Sequence, residues 1–325
     1  MSALSAVYGG AARLRRSWFE RRPASRVRLA RPVISVGNMV VGGSGKTPVV
    51  AAVAELLLSL GHRPAILSRG YRRRSADLVV VSDGSKPLVA VEDSGDEPLM
   101  LARDVAGVPV IVAADRSRAG LVAIERFDAT VLILDDGFQH LKLERTIDLL
   151  VLSSADLLEQ VLPSGRLREP LAAARAADAV LAYGGVPEAQ QLAAHVGVAR
   201  AYGVMTRYLP LRPLAGADTP SGPARIVAVA GIARPERVFQ ALRQQGHAVV
   251  REWAFADHHW FTAADVHDIE RAARGLGADR VVTTAKDAVR LERHRGVMTL
   301  PWAILPMTVS IEPGAEFESW LRQRV

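Results

Sequence analysis

The chain has 325 residues, 49% hydrophobic and 23% charged, a balance that excludes a largely disordered protein and allows about two domains. It has no cysteine, which excludes disulfide frameworks and thiolate metal centres and fits a reducing compartment. The formal net charge of +7 points to an anionic partner: a nucleotide, a phosphorylated substrate, nucleic acid or an acidic membrane.

That charge is concentrated at the start, where residues 1–31 hold eight arginines and one acid, Glu20. Leu4, Val7, Tyr8, Ala11, Leu14 and Trp18 fall at helical spacing, with Phe19 beside the last. Arg13, Arg15, Arg16, Arg21 and Arg22 cluster on the remaining face. An amphipathic helix of this kind can lie in a bilayer interface, the alternative being a surface helix whose apolar side packs on the core. No run of about 20 apolar residues occurs, so no segment is expected to span a membrane, and no secretory signal is expected.

Strand and helix patterns then alternate, which predicts an α/β fold with a parallel sheet. Strands are expected at 32–37, 65–68, 78–81, 108–113, 130–134, 147–152 and 179–182, with helices at 47–60, 98–105 and 116–127. Pro and Gly thicken over 209–224, the expected linker. A second, smaller α/β domain is expected over 225–325, with strands at 225–231 and 280–284 and helices at 238–245 and 264–274. The first domain is expected over 32–208.

The chemistry gathers at strand ends. Gly42, Gly43, Ser44, Gly45, Lys46, Thr47 and Pro48 join the first strand to an apolar helix, the arrangement of a phosphate loop. Backbone N–H groups and the helix dipole surround phosphate oxygens, Lys46 reaches the β- and γ-phosphates, and the Thr47 hydroxyl ligates Mg²⁺. The usual pattern wants Gly at position 40, where this chain has Val40. Asp135 and Asp136 follow the buried strand 130–134, where a P-loop enzyme holds Mg²⁺ or its water; capping of the next element is the plainer reading. Gln139 and His140 come next. Asp96 and Glu97, between Gly95 and Pro98, either cap a helix or serve as base and metal contact. Arg69 to Arg74 can clamp phosphate groups or form a solvated loop. Arg166 and Arg168 offer a charge for a transferring phosphate. Asp257 and His258 offer a carboxylate-oriented imidazole, and Thr283 to Asp287 ends a strand.

In this order the segments closely resemble the tetraacyldisaccharide 4′-kinase family of lipid A synthesis. The resemblance rests on Gly37-Asn38, the loop 42–48, Ser68 to Tyr71, Gly95 to Pro98, Leu134 to His140, Gly165 to Pro170, Gly231 to Pro235, Asp257-His258 and Thr283 to Asp287. It covers most of the chain, and the family shares the shifted phosphate loop, so Val40 does not count against it. It implies a P-loop NTPase-like parallel sheet domain and a second α/β domain, with the active site in the cleft between them. It implies transfer of the ATP γ-phosphate to the 4′-hydroxyl of a tetraacylated glucosamine disaccharide 1-phosphate, with ATP and Mg²⁺. Carried over by position, Asp96 is the base, assisted by His258; Thr47, Glu97 and Asp136 serve Mg²⁺; Asp135 supports that centre. Arg168 and Glu169 belong to the site. The lipid acceptor implies that the N-terminal helix docks on the anionic cytoplasmic face of the bacterial inner membrane. A monomer is expected as a separate matter.

The rivals are another small-molecule kinase, a regulatory P-loop NTPase and a non-catalytic membrane or nucleic-acid binder. The guanine-selecting Asn-Lys-x-Asp pattern is absent. A nucleic-acid partner is not expected, because Lys46, Thr47, Asp135 and Asp136 together describe a nucleotide site.

Overall fold

A computed structural model describes residues 2–71, 73–215 and 222–325. Arg72 of the basic cluster and 216–221 of the expected linker lie outside the described residues. The chain forms two compact units, Met1–Thr206 with Val309–Val325, and Arg207–Thr308.

In chain order the first unit runs α1 (Ala3–Arg21), β1 (Val33–Asn38), α2 (Lys46–Ser59), β2 (Pro64–Ser68), β3 (Val79–Asp83), α3 (Val91–Ser94) and α4 (Asp96–Asp104). It continues with β4 (Pro109–Val112), α5 (Arg116–Phe127), β5 (Val131–Asp135), β6 (Ile147–Val151), β7 (Ala179–Ala182), α6 (Val186–Val196) and β8 (Ala201–Tyr208). The second unit holds β9 (Arg212–Ala215), β10 (Arg225–Ala230), α7 (Pro235–Gln244), β11 (Ala248–Ala254), α8 (Ala263–Gly275), β12 (Arg280–Thr284), α9 (Ala285–Leu291) and β13 (Trp302–Leu305). The chain then closes with β14 (Met307–Glu312) and α10 (Gly314–Arg322).

Among the described residues one sheet has nine strands in the order β14-β8-β7-β6-β1-β5-β2-β4-β3. Strands β1, β2, β4, β5, β6 and β7 are buried at every residue, the pattern of a parallel sheet covered on both faces. Pairing from β8 through β4 is parallel, and β3 closes that end antiparallel. Because β1 lies between β5 and β6, and Val36 pairs with Asp135, the carboxyl ends of β1 and β5 deliver the phosphate loop and the acidic pair side by side. The second sheet has the order β11-β10-β12-β13-β9, parallel except for β9 on β13.

Three boundaries differ from expectation. The expected linker contains a strand, β9, which finds a partner in β13. The segment from Val309 to Val325 belongs to the first unit, not the second. Its anchor is aromatic: Tyr202, buried on β8, meets Phe317 and Trp320 of α10 with ring centroids 5.0 and 5.9 Å away. Third, the separate helix expected over 1–31 ends at Arg21, and the residues behind it join the core. Val27 bridges to Leu143, and Leu29 packs on the cluster around Leu132.

The amphipathic helix itself faces the other way from an ordinary surface helix. It turns Ser5, Gly9 and Arg16 inward and leaves Leu4, Val7 and Leu14 exposed at 71, 72 and 74%. Tyr8 and Trp18 are exposed as well. Trp18 meets Phe19 edge-on, and Arg22 lies over the Trp18 ring. Among the described residues no helix is long and apolar enough to cross a membrane.

Candidate active site

The phosphate loop is built on a buried strand end. Gly37 must be glycine, since a Cβ there would sit 2.5 Å from Phe138 Cβ and 2.7 Å from its backbone nitrogen. Val40, the departure from the common loop pattern, has a structural cause. It is 3% exposed, pairs with Leu167 and packs in the core beside Leu150 and Val180. The bonds Val41 N–H to Arg166 O (2.9 Å) and Arg168 N–H to Met39 O (2.8 Å) pin this stretch as an added strand pair. A glycine at 40 would forfeit that packing.

Gly45 closes the loop in the left-handed region at φ 79°, and its carbonyl accepts the Tyr183 hydroxyl at 2.6 Å. Helix α2 starts directly after it with no side chain capping its first N–H groups. Those donors and the positive end of the dipole are thus available to an anion. Pro48 has no N–H and sits in the first turn, where none is needed, so it sets the backbone angle and offers phosphate no donor.

Lys46 Nζ donates to Asn38 Oδ1 (3.1 Å) and Ser44 Oγ (3.3 Å) and lies 3.5 Å from Asp136 Oδ1. Asn38 is itself held by its own bond to Val40 O and by Gln139, whose Nε2 donates to Asn38 O. Arg168 Nη1 donates to Asp136 Oδ2 at 2.7 Å and to Gln139 Oε1 at 3.2 Å. Lys46, Asp136, Gln139 and Arg168 are therefore one network. Asp136 reaches it from a backbone at φ 57°, an uncommon conformation for a residue with a side chain. The alternative that the two Asp residues merely cap the next element does not describe this geometry.

The two neighbouring carboxylates live in different fields. Burial, then the charges of Glu97 and Asp136, push the Asp135 carboxyl up to about 7, against the pull of Lys46 and of Ser68 Oγ, which donates at 3.0 Å. Burial acts on Asp136 in the same sense, but Lys46 and Arg168 outweigh it and hold that carboxyl below the ordinary range. Asp135 Oδ1 is buried without a hydrogen-bond partner, while Asp136 Oδ1 faces the Lys46 ammonium at 3.5 Å. Carboxylates that repel one another, with an orphaned Asp135 oxygen beside a phosphate loop, fit a divalent cation. Among the described residues no three carboxylates or imidazoles converge into a ready cage. Mg²⁺ suits such a place, because it keeps waters and shares its coordination with phosphate oxygens.

Asp96 is not the helix cap: Gly95 holds that position at φ 84°, and Asp96 opens the first turn of α4, buried at 7% exposure. Its Oδ1 accepts the Glu97 N–H at 3.0 Å. A Cβ on Gly95 would meet Tyr71 O at 2.9 Å, so the Ser68–Tyr71 and Gly95–Pro98 motifs are nested against each other. Within the basic cluster, Arg73 turns back to the carbonyls of Ala76 and Asp77 and closes its own loop, while Arg69 is exposed.

In the second unit His258 adopts φ 62°, with its N–H on Gly231 O at 3.2 Å. The expected direct orientation of its ring by Asp257 is not what the structure has, because Asp257 Oδ2 is 3.8 Å from Nε2. Lys286 Nζ stands 3.2 Å from both Asp257 Oδ1 and His258 Nε2. An ammonium can only donate, so in this contact Nε2 stands on the accepting side. Asp287 completes the motif: it accepts the Gly231 N–H, the Thr284 hydroxyl and Arg290, fixing the loop that holds His258.

Comparison with known proteins decides which family the chain belongs to. The family model described as tetraacyldisaccharide-1-P 4′-kinase matches residues 1–325. The chain belongs to the tetraacyldisaccharide 4′-kinase family. It is 40% identical over 304 residues to the tetraacyldisaccharide 4′-kinase of Geobacter sulfurreducens, covering 89% of this chain and 83% of that one. To the enzyme of the same name from Syntrophus aciditrophicus it is 38% identical over 326 residues, with 94% and 87% covered. Its fold matches a crystal structure of LpxK from Aquifex aeolicus, an "apo" form in complex with ATP. The TM-score is 0.79 at 30% identity, with 98% of this chain and 96% of that chain covered.

One buried cation near these carboxylates lay beyond the motifs. Arg116, in the first turn of α5, is buried and donates to Ala114 O, while its Nε has no partner. Burial, then the nearby charge of Arg69, holds its guanidinium below the usual value, and it feels Asp136 and Asp135 in turn. The signal available was its place just after the carboxyl end of β4, the site-forming edge. His140, the last residue of the Leu134 to His140 motif, lies nearby: burial, then Arg116, lowers its imidazole to about 4, so it is neutral at physiological pH.

Proposed function

We propose that this chain transfers the γ-phosphate of ATP to the 4′-hydroxyl of a tetraacylated glucosamine disaccharide 1-phosphate, using the strand-end site of its first unit. The observation that carries this reading is the linked set Lys46–Asp136–Arg168 beside the uncapped start of α2. Residues 42–47 hold the phosphates, and Arg168 adds positive charge for the transferring group. Thr47, Glu97 and Asp136 hold Mg²⁺, with Asp135 supporting; the ion supplies neutralisation of phosphate charge. Asp96 takes the proton of the acceptor hydroxyl as its oxygen bonds to phosphorus and the bond to ADP breaks. His258 is proposed to assist that proton transfer. Labelled ATP with a lipid A disaccharide precursor tests the reading: label should pass to the lipid, and Asp96→Ala should lower kcat about a hundredfold. Equal ATP turnover with and without the acceptor would instead identify a regulatory NTPase.

The exposed Leu4, Val7 and Leu14 support membrane docking by α1, since an apolar stripe turned outward on an arginine-rich helix suits an anionic lipid surface. Docking at the cytoplasmic face of the inner membrane would bring the site to an acylated acceptor where ATP is present. Burying each such side chain contributes roughly 1.5–3 kcal/mol. The double variant Leu4→Ser/Leu14→Ser should therefore bind phosphatidylglycerol-containing vesicles at least about tenfold more weakly in a flotation assay. Unchanged flotation would remove the docking claim.

A further inference from the structure

The inward face of α1 does not touch the molecule at random. Ser5 Oγ donates to Ser164 Oγ at 2.7 Å and accepts the Ser164 N–H at 3.1 Å. Gly9 faces Pro170 and Val161. Arg16 grips Glu169 with both arms of its guanidinium, Nε to Oε2 at 2.6 Å and Nη2 to Oε1 at 3.1 Å. The same group lies 4.7 Å over the Phe138 ring and donates from Nη2 to Phe138 O at 3.4 Å. Next to it, Arg15 Nη2 donates to Gln139 O at 3.2 Å.

These contacts fall on two segments, 138–139 and 161–170, and both carry the catalytic network. Asp136 lies two residues before Phe138, Gln139 bridges Arg168 to Asn38, and Arg168 is the neighbour of Glu169. The ion pair is buried, at 8 and 4% side-chain exposure. A buried pair is a poor source of stability, because desolvation cancels much of the attraction, but its bidentate geometry tolerates little displacement. Removing Arg16 alone would leave the buried Glu169 carboxylate without the partner that sets its direction.

We propose that Arg16 is a positioning residue for phosphoryl transfer, which through Glu169 and Phe138 holds Arg168 against Asp136. The N-terminal helix is then part of the catalytic apparatus as well as a membrane contact. This rests on the kinase reading above.

The test is a double-mutant cycle on full-length protein with detergent-dispersed lipid A disaccharide precursor, which takes vesicle docking out of the measurement. Arg16→Met should lower kcat about tenfold or more while KM for ATP stays within about twofold. In an Arg168→Ala background the same substitution should cost less than about twofold, because the geometry it protects is already gone. Arg16→Lys should not restore kcat, since an ammonium lacks the fork, whereas Arg16→Glu with Glu169→Arg should exceed either single variant. A merely structural role predicts the same factor in both backgrounds, and that result, or full kcat in Arg16→Met, overturns the proposal. Should Arg16→Met fail to fold, the cycle is run with Arg16→Lys and judged by the same criterion. Absence of transfer by the wild type would instead refute the kinase reading itself.

Discussion

Lys46→Ala is expected to lower kcat/KM for ATP about 10³-fold, on the order of 4 kcal/mol of transition-state stabilisation. Two losses combine. The ammonium that would meet the β- and γ-phosphates is gone, and so is a cation that favours ionisation of the acidic pair. Lys46 lowers both Asp135 and Asp136, so its removal drives Asp135 further above about 7 and raises Asp136 toward protonation. Mg²⁺ would then meet a protonated partner, and the Mg²⁺ concentration giving half-maximal rate should rise along with KM for ATP. The measurement is initial rate against both ligands. A loss below about tenfold would mean that Lys46 is not the phosphate contact.

Asp135→Asn should separate activity from stability. The folded-state carboxyl is raised to about 7 from an ordinary value of 3.8, chiefly by burial. The native protein therefore holds that proton more tightly than the unfolded chain between these two values. Stability falls as pH rises through that window, and the penalty is complete above about pH 7. Asparagine keeps the shape and the partner for Ser68 Oγ without the charge. In nucleotide-free, metal-free protein the variant should melt higher than wild type at pH 8. The gap should close toward pH 4, from a ceiling of roughly 4 kcal/mol at about 1.4 kcal/mol per unit. Kinase activity should fall at least about a hundredfold. Added Mg²⁺ and ATP should stabilise wild type more than the variant. Equal melting temperatures at pH 8 would mean that Asp135 carries no buried charge penalty.

The same field explains why one site needs two adjacent aspartates. Lys46 and Arg168 hold the Asp136 carboxyl low, whereas burial and then the charges of Glu97 and Asp136 hold the Asp135 carboxyl high. Stability is lowered at the place where the proposed metal role calls for charge.

Much of this was readable in residue order. Continuous apolar runs announced buried parallel strands, and the run at 130–134 became the interior β5 because such a segment has no polar face to show to water. The loop 42–48 and the acidic pairs were legible because their chemistry is local: a strand end, a glycine turn and a helix start are neighbours in sequence. Long-range pairings were not legible. Val40 looked like a defect until Leu167 paired with it, and the second domain lost its last segment to the aromatic contact of Tyr202 with α10. Asp257 was expected to orient His258, yet Lys286, 28 residues along the chain from that imidazole, stands between them. Arg16 was one arginine among several on a helix, and nothing in its spacing marked it as the one turned inward to Glu169 across 153 residues. Sequence by itself supplied the candidate groups for phosphate, metal and proton. Tertiary structure decided which of them share a field, because burial and charge act through space and the chain records only order.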